Sequence, residues 1–168
     1  MGRLGWRRHK RNLKVLYASI YYRAEQAYPY VVCSDYISMD WHAQLIAFLE
    51  RSGHEVTIRP HPSSDSVVTN QAIHNMGHWP SPTPFEELIA DNDIAIFDSP
   101  ASTAFRNALF SEIPILLLDN GLLPFTSHAR YQLEKRVSIV PTYFNHQNRV
   151  EVEWQEVTDG IDCLLYTS

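Results

Sequence analysis

Two short segments carry the residue types best suited to hold or move charge. One is Phe97-Asp98-Ser99-Pro100-Ala101-Ser102-Thr103 and the other is Arg59-Pro60-His61-Pro62. The first places the hydroxyls of Ser99, Ser102 and Thr103 between an apolar run and a helix-like one. The first turn of a helix has unpaired N–H groups and the positive end of the dipole. Together these favour an anion, such as a phosphate. A hydroxyl in that place also serves as a plain N-cap, worth about 1 kcal/mol. In the second segment two prolines pin the backbone around His61, and Arg59 lies two residues back on the same face of an extended chain. An imidazole so presented can donate to a phosphate oxygen or act as general acid or base. The plainer reading is a histidine satisfied within a loop.

The elements around these segments decide whether they meet. Residues 13–19 read as a short buried strand, and 20–34, rich in tyrosine, as a long loop. Ile37, Trp41, Leu45, Phe48 and Leu49 recur at helical spacing, and Gly53 supplies a stop. A second strand over 54–60 ends at the prolines. Residues 63–84 form a polar excursion with one short helix around 66–75. A helix over 84–92 has Pro84 in its first turn and early acids. A strand over 93–98, a helix from Ser102 to Ile113 and a strand over 114–120 follow. The chain closes with a helix over 124–136, a strand over 137–142 and a helix from Trp154.

Strands alternating with helices predict βαβ units. The fold class is α/β, a Rossmann-like three-layer sandwich with a mostly parallel sheet of about five strands. Ligands of such sheets sit outside the carboxyl ends of the strands. Both segments fall at that edge, as does Ser19 after the first strand.

The composition, 45% hydrophobic and 20% charged, is that of a globular protein. Of the 14 basic side chains, Arg3, Arg7, Arg8, Lys10, Arg11 and Lys14 crowd the start without an acid, leaving eight against 19 acids elsewhere. An acidic body argues against a nucleic-acid surface, and the basic head suits a tail, a linker or an anionic membrane face. No apolar run approaches the roughly 20 residues of a membrane span. The start does not read as a signal peptide, and Cys33 and Cys163 make no disulfide framework. A cytoplasmic setting follows.

In order and spacing, "KVLYAS", "VTIRPHP" and "DIAIFDSPASTAFRNALFSEIPILLLDN" resemble the carboxyl-terminal half of GT-B glycosyltransferase-like proteins. The nearest likeness is to the bacterial surface-polymer branch, with its CDP-glycerol glycerophosphotransferases and capsule or lipopolysaccharide transferases. It covers about residues 13–140. The resemblance implies a nucleotide-donor-binding domain over 13–168, preceded by a basic linker or tail over 1–12. It also implies a missing amino-terminal acceptor domain, so that the chain reads as a fragment or isolated half. The substrate would be a nucleotide-activated sugar or alcohol, used without metal or other cofactor, at the inner face of a plasma membrane. His61 matches the family's catalytic histidine near the donor phosphates, and Arg59 its basic neighbour. Ser99, Ser102 and Thr103 fall in its phosphate-holding turn, and Ser19 in its first loop. Where the family often has a ribose-gripping glutamate, this chain has Asn107. Two other readings stand beside this one: a non-catalytic docking module of the same fold, and a relative of sugar-nucleotide epimerases.

Three weaker signals are set aside. Asp91-Asn92-Asp93 precedes a strand instead of following one. His74 and His78 have zinc-helix spacing, but Gly77 and Pro80 argue against a helix there and no third ligand is placed. Cys33 has no adjacent base.

Overall fold

The computed structural model describes residues 12–18, 21–22 and 34–166. The basic head up to residue 11, Ser19 and Cys33 lie outside them. The elements in chain order are β1 (Lys14–Tyr17), α1 (Asp35–Arg51), β2 (Glu55–Ile58), α2 (Ser66–Asn75) and α3 (Phe85–Asp91). Then come β3 (Ile94–Phe97), α4 (Thr103–Leu109), β4 (Ile115–Asp119), α5 (Ser127–Leu133), β5 (Val137–Phe144), β6 (Val150–Val152) and α6 (Trp154–Tyr166).

The described strands form one six-stranded sheet in the order β2-β1-β3-β4-β5-β6. The pairs from β2 through β5 are parallel, and β6 returns antiparallel to β5. Every residue of β3 is buried, as expected of a central strand covered on both faces. Side chains alternate across the sheet. Tyr17, Ile96 and Leu118 join one core with Trp41, Leu45 and Leu49 of α1 and with residues of α2 and α6. Leu16, Phe97 and Leu117 join the other with Phe85 of α3 and with Phe105 and Ala108 of α4. The fold is therefore a Rossmann-like α/β sandwich.

The hairpin to β6 is an element that the sequence reading lacks. Asn145 Oδ1 accepts from the N–H groups of Gln147 and Arg149 at 2.8 and 3.0 Å, and Asn148 takes a positive φ of 60°. Asparagine is among the few residues that reach this conformation readily. A three-residue strand abutting a helix shows too little alternation to be seen in advance.

α4 is also shorter than the spacing predicts. It ends at Leu109, and donors from beyond the helix meet Ala108 O and the carbonyls of the turn that follows. Ser111 Oγ donates to Ala108 O at 2.8 Å, and Arg136 Nη2 donates to the carbonyls of Ser111 and Ile113 at 2.6 and 2.7 Å. Arg136 thus clamps the end of α4 to the start of β5. Replacing it in Arg136→Met should cost roughly 1.5–3 kcal/mol, the scale of hydrogen bonds to a charged group. A urea midpoint equal to wild type would refute that role.

Strand order reverses between β1 and β3. The chain leaves β1 toward the α1 face, whereas it leaves β3 toward the α4 face. Such a switch point opens a crevice at the carboxyl ends of the two strands.

Candidate functional site: two compartments at the carboxyl edge of the sheet

β2 ends where its sequence dictates. Arg59 N extends the ladder by one bond to Tyr17 O at 2.9 Å, after which Pro60 and Pro62 have no N–H to offer. The arginine side chain turns back along the edge, with Nη1 donating to Ser81 O at 3.3 Å. His61 Nδ1 accepts from Ser63 N at 3.1 Å, so in the neutral ring the proton sits on Nε2. The ring meets Tyr21 edge-on, with centroids 5.0 Å apart.

Across from this segment, Ser102 is the N-cap of α4, its hydroxyl accepting from Phe105 N at 3.0 Å. Ser99 Oγ makes a longer contact with Ala101 N at 3.4 Å. Both serine oxygens therefore serve the turn itself. Thr103 and Asn107, one helical turn apart, are exposed, and Asn107 Nδ2 donates to Glu86 Oε1 of α3 at 3.0 Å.

Arg59, His61, Thr103, Asn107 and Glu86 line one cleft of about 450 Å³, within the usual range of small-molecule sites. Of the residues singled out in the sequence, four meet here. Ser99 and Ser102 are not among the residues that line it, and Ser19 lies outside the described residues. α4 is only seven residues long, so its summed dipole is small and side chains must carry the electrostatics. Arg59 supplies a fixed positive charge and Glu86 an acidic one.

Burial lowers the pKa of His61 from its ordinary 6.5. A folded pKa below the unfolded one means that the neutral ring adds stability above about pH 6.5. That stability disappears as pH falls through the lowered value. His54 shifts in the same direction, through burial that outweighs the opposing pull of Asp162. The urea midpoint should therefore fall on acidification from about pH 7 to about pH 5, and His61→Asn should flatten part of that fall. An identical pH profile in the variant would contradict it.

A second cluster lies on the α1 side of the crevice, and sequence reasoning missed it. Asp98 Oδ2 accepts from the Tyr17 hydroxyl at 2.6 Å and lies 3.1 Å from His42 Nε2. His42 Nδ1 is 2.7 Å from the Tyr22 hydroxyl. The arrangement that satisfies every contact has Tyr22 donating to Nδ1, Nε2–H donating to Asp98, and Tyr17 donating to Asp98. Burial, followed by the negative charge of Asp98, raises the pKa of Tyr17 and Tyr22, so both keep their protons. The advance signal was a histidine on the apolar stripe of a helix, with an acid closing a wholly apolar strand.

The weaker signals have structural partners. His78 Nε2 pairs with Glu50 Oε1 at 2.9 Å, His74 packs against Trp79, and Asp93 Oδ2 accepts from Lys14 N at 2.8 Å. Among the described residues no group of three or more His, Cys, Asp or Glu is placed to hold a metal ion, and no helix is long and apolar enough to cross a membrane.

Fold and crevice together define the class: a Rossmann-like α/β protein with two side-chain compartments at its switch point. The chain matches no protein-family model, no curated protein and no solved structure.

Proposed function

We propose that the cleft between Arg59-Pro60-His61-Pro62 and α4 holds the phosphates of a nucleotide-activated sugar or alcohol. In this reading the chain is the donor-binding part of a glycosyl- or glycerophosphotransferase that builds a cell-surface polymer. The observation that carries it is the convergence of Arg59, His61, Thr103 and Asn107 on one cleft, from segments more than 40 positions apart. Arg59 and the Nε2–H of His61 offset charge that collects on the leaving phosphate as the acceptor hydroxyl attacks. The Thr103 hydroxyl donates to a phosphoryl oxygen. Glu86, oriented by Asn107, supplies a carboxylate able to accept from ribose hydroxyls, a role that Asn107 alone would fill more weakly. The acceptor is held by a further domain, and the basic head rests against an anionic membrane surface.

Amide NMR of the full chain with CDP and with pyrophosphate tests the placement. Shifts should concentrate at His61, Ser63, Thr103 and Ala104. Saturable binding with shifts elsewhere would overturn it.

One observation favours a docking module instead. Leu122 and Leu123, on the loop after β4 at the same edge, are 38% and 42% exposed. Under that reading His61→Ala leaves biological activity intact.

A further inference from the structure

The Arg59-Pro60-His61-Pro62 segment borders a second space besides the cleft, and its four residues line both. The other walls of this second pocket come from the start of α2 and from Pro80-Ser81-Pro82, instead of from α3 and α4. Its volume is about 270 Å³, more than the roughly 150 Å³ that admits benzene. Pro80 bridges to Ile58 as a parallel partner, and Ser81 N donates to Ile58 O at 2.8 Å, so this wall is tied to the sheet.

Ser66, Thr69 and Asn70 lie on one face of α2, at spacings of three and four residues, and all three line the pocket. Thr69 is 1% exposed, and its Oγ1 is without a hydrogen-bond partner among the described residues. Buried hydroxyls nearly always have one. Threonine in a helix has two accessible χ1 wells, so this hydroxyl can turn to an acceptor in the pocket. Asp65, the N-cap of α2, is not part of the lining, and its Oδ1 accepts from Val68 N at 2.9 Å.

Two groups of fixed sense choose the ligand. Arg59 is a permanent cation that can only donate. Its Nη1 donates to Ser81 O at 3.3 Å, and Ser81 lines this pocket and not the cleft, so the guanidinium reaches this side of the segment. The neutral His61 ring carries its proton on Nε2, because Nδ1 accepts from Ser63 N. Both call for an acceptor, and the charge of Arg59 favours an anionic one. A cation would meet the guanidinium. The hydroxyls of Ser66 and Thr69 and the Asn70 amide donate and accept, so they suit an acid group or hydroxyls beside it. The rings of Pro60, Pro62, Pro80 and Pro82 are rigid apolar walls that an inorganic ion would leave uncovered. We infer that this pocket binds a small organic anion, a carboxylate or a phosphate monoester, with its acid group at Arg59 and its carbon skeleton against the proline rings. The inference does not rest on the donor reading of the cleft.

The test is amide NMR of the full chain with glycerate and glycerol phosphate, and with glycerol and inorganic phosphate as controls. At least one of the two organic acids should bind saturably and shift Ser66, Thr69 and Asn70. Thr69→Val, which removes an unpartnered hydroxyl and keeps the shape, should leave the urea midpoint of the free chain no lower than wild type. It should weaken the acid about fivefold, the scale of one neutral hydrogen bond. Asn70→Ala, at an exposed helix position where alanine is favourable, should weaken it in the same direction. Thr103→Val, in the cleft, should leave the shifts at Ser66, Thr69 and Asn70 unchanged. The inference is overturned if neither acid shifts these three amides, or if glycerol or inorganic phosphate binds there as tightly. It is also overturned if both pocket variants bind as wild type does, or if Thr69→Val lowers the midpoint, which would show a hydroxyl already bonded. Shifts confined to Thr103 and Ala104 would remove this pocket and leave the cleft reading standing.

Discussion

Asp98→Ala should destabilise the fold by about 3 kcal/mol, toward the lower end of the roughly 2–6 kcal/mol cost of stranding two buried donors. Tyr17 is wholly buried and His42 is 3% exposed, and both direct a proton at the same oxygen of Asp98. Alanine leaves those protons without an acceptor. For a chain of this length the melting temperature should drop by about 10 °C. The cost belongs to the network and not to the lost side chain's packing, so a double-mutant cycle separates the two. Tyr17→Phe removes one of the stranded donors, and the loss on Asp98→Ala should be smaller in that background by about 1 kcal/mol. Strict additivity of the two substitutions would show that the contact contributes nothing.

Arg59→Ala should lower affinity for a nucleotide-diphosphate ligand by roughly ten- to a hundredfold, the loss of a charged hydrogen bond of about 1.5–3 kcal/mol. Among the described residues the guanidinium is the only fixed cation in the cleft lining, and one of its donors is already committed to Ser81 O, which orients the rest. Thr103→Val should cost less, about fivefold, because its hydroxyl is neutral. Because Arg59 also ties the edge to Ser81, Arg59→Lys is the informative companion. It keeps charge but loses the planar fork, and should fall between wild type and alanine. Equal affinity in all four proteins would remove the cleft from the account.

Much of the fold was legible because it depends on local pattern. The apolar runs of β3 and β4, the α1 stripe of Trp41, Leu45 and Leu49, and the short helix over 66–75 follow from periodicity and turn chemistry. The edge shared by Arg59, His61 and Thr103 followed from parallel topology alone. What could not be read was of two kinds. The β6 strand goes with turn contacts, and the early end of α4 is met by Arg136, far away in sequence. The Tyr17–Asp98 and His42–Asp98 contacts join residues 81 and 56 positions apart. In sequence, Tyr17 is one more large side chain in an apolar strand, and His42 is masked by the stripe it belongs to. The hydroxyls of Ser99, Ser102 and Thr103 mark the turn more plainly than the acid that precedes them, and Ser102 caps its own helix. Glu86 is a similar case: only packing of α3 against α4 brings its carboxylate to Asn107.

The central claim is that the Arg59/His61/Thr103 cleft holds the phosphates of an activated donor. Its most direct test is a calorimetric titration of the folded full chain with CDP-glycerol and a panel of nucleotide sugars near neutral pH. The account predicts saturable binding of at least one of them with Kd below about 1 mM, weakened by Arg59→Ala. Folded protein that binds none of them below the millimolar range would contradict it.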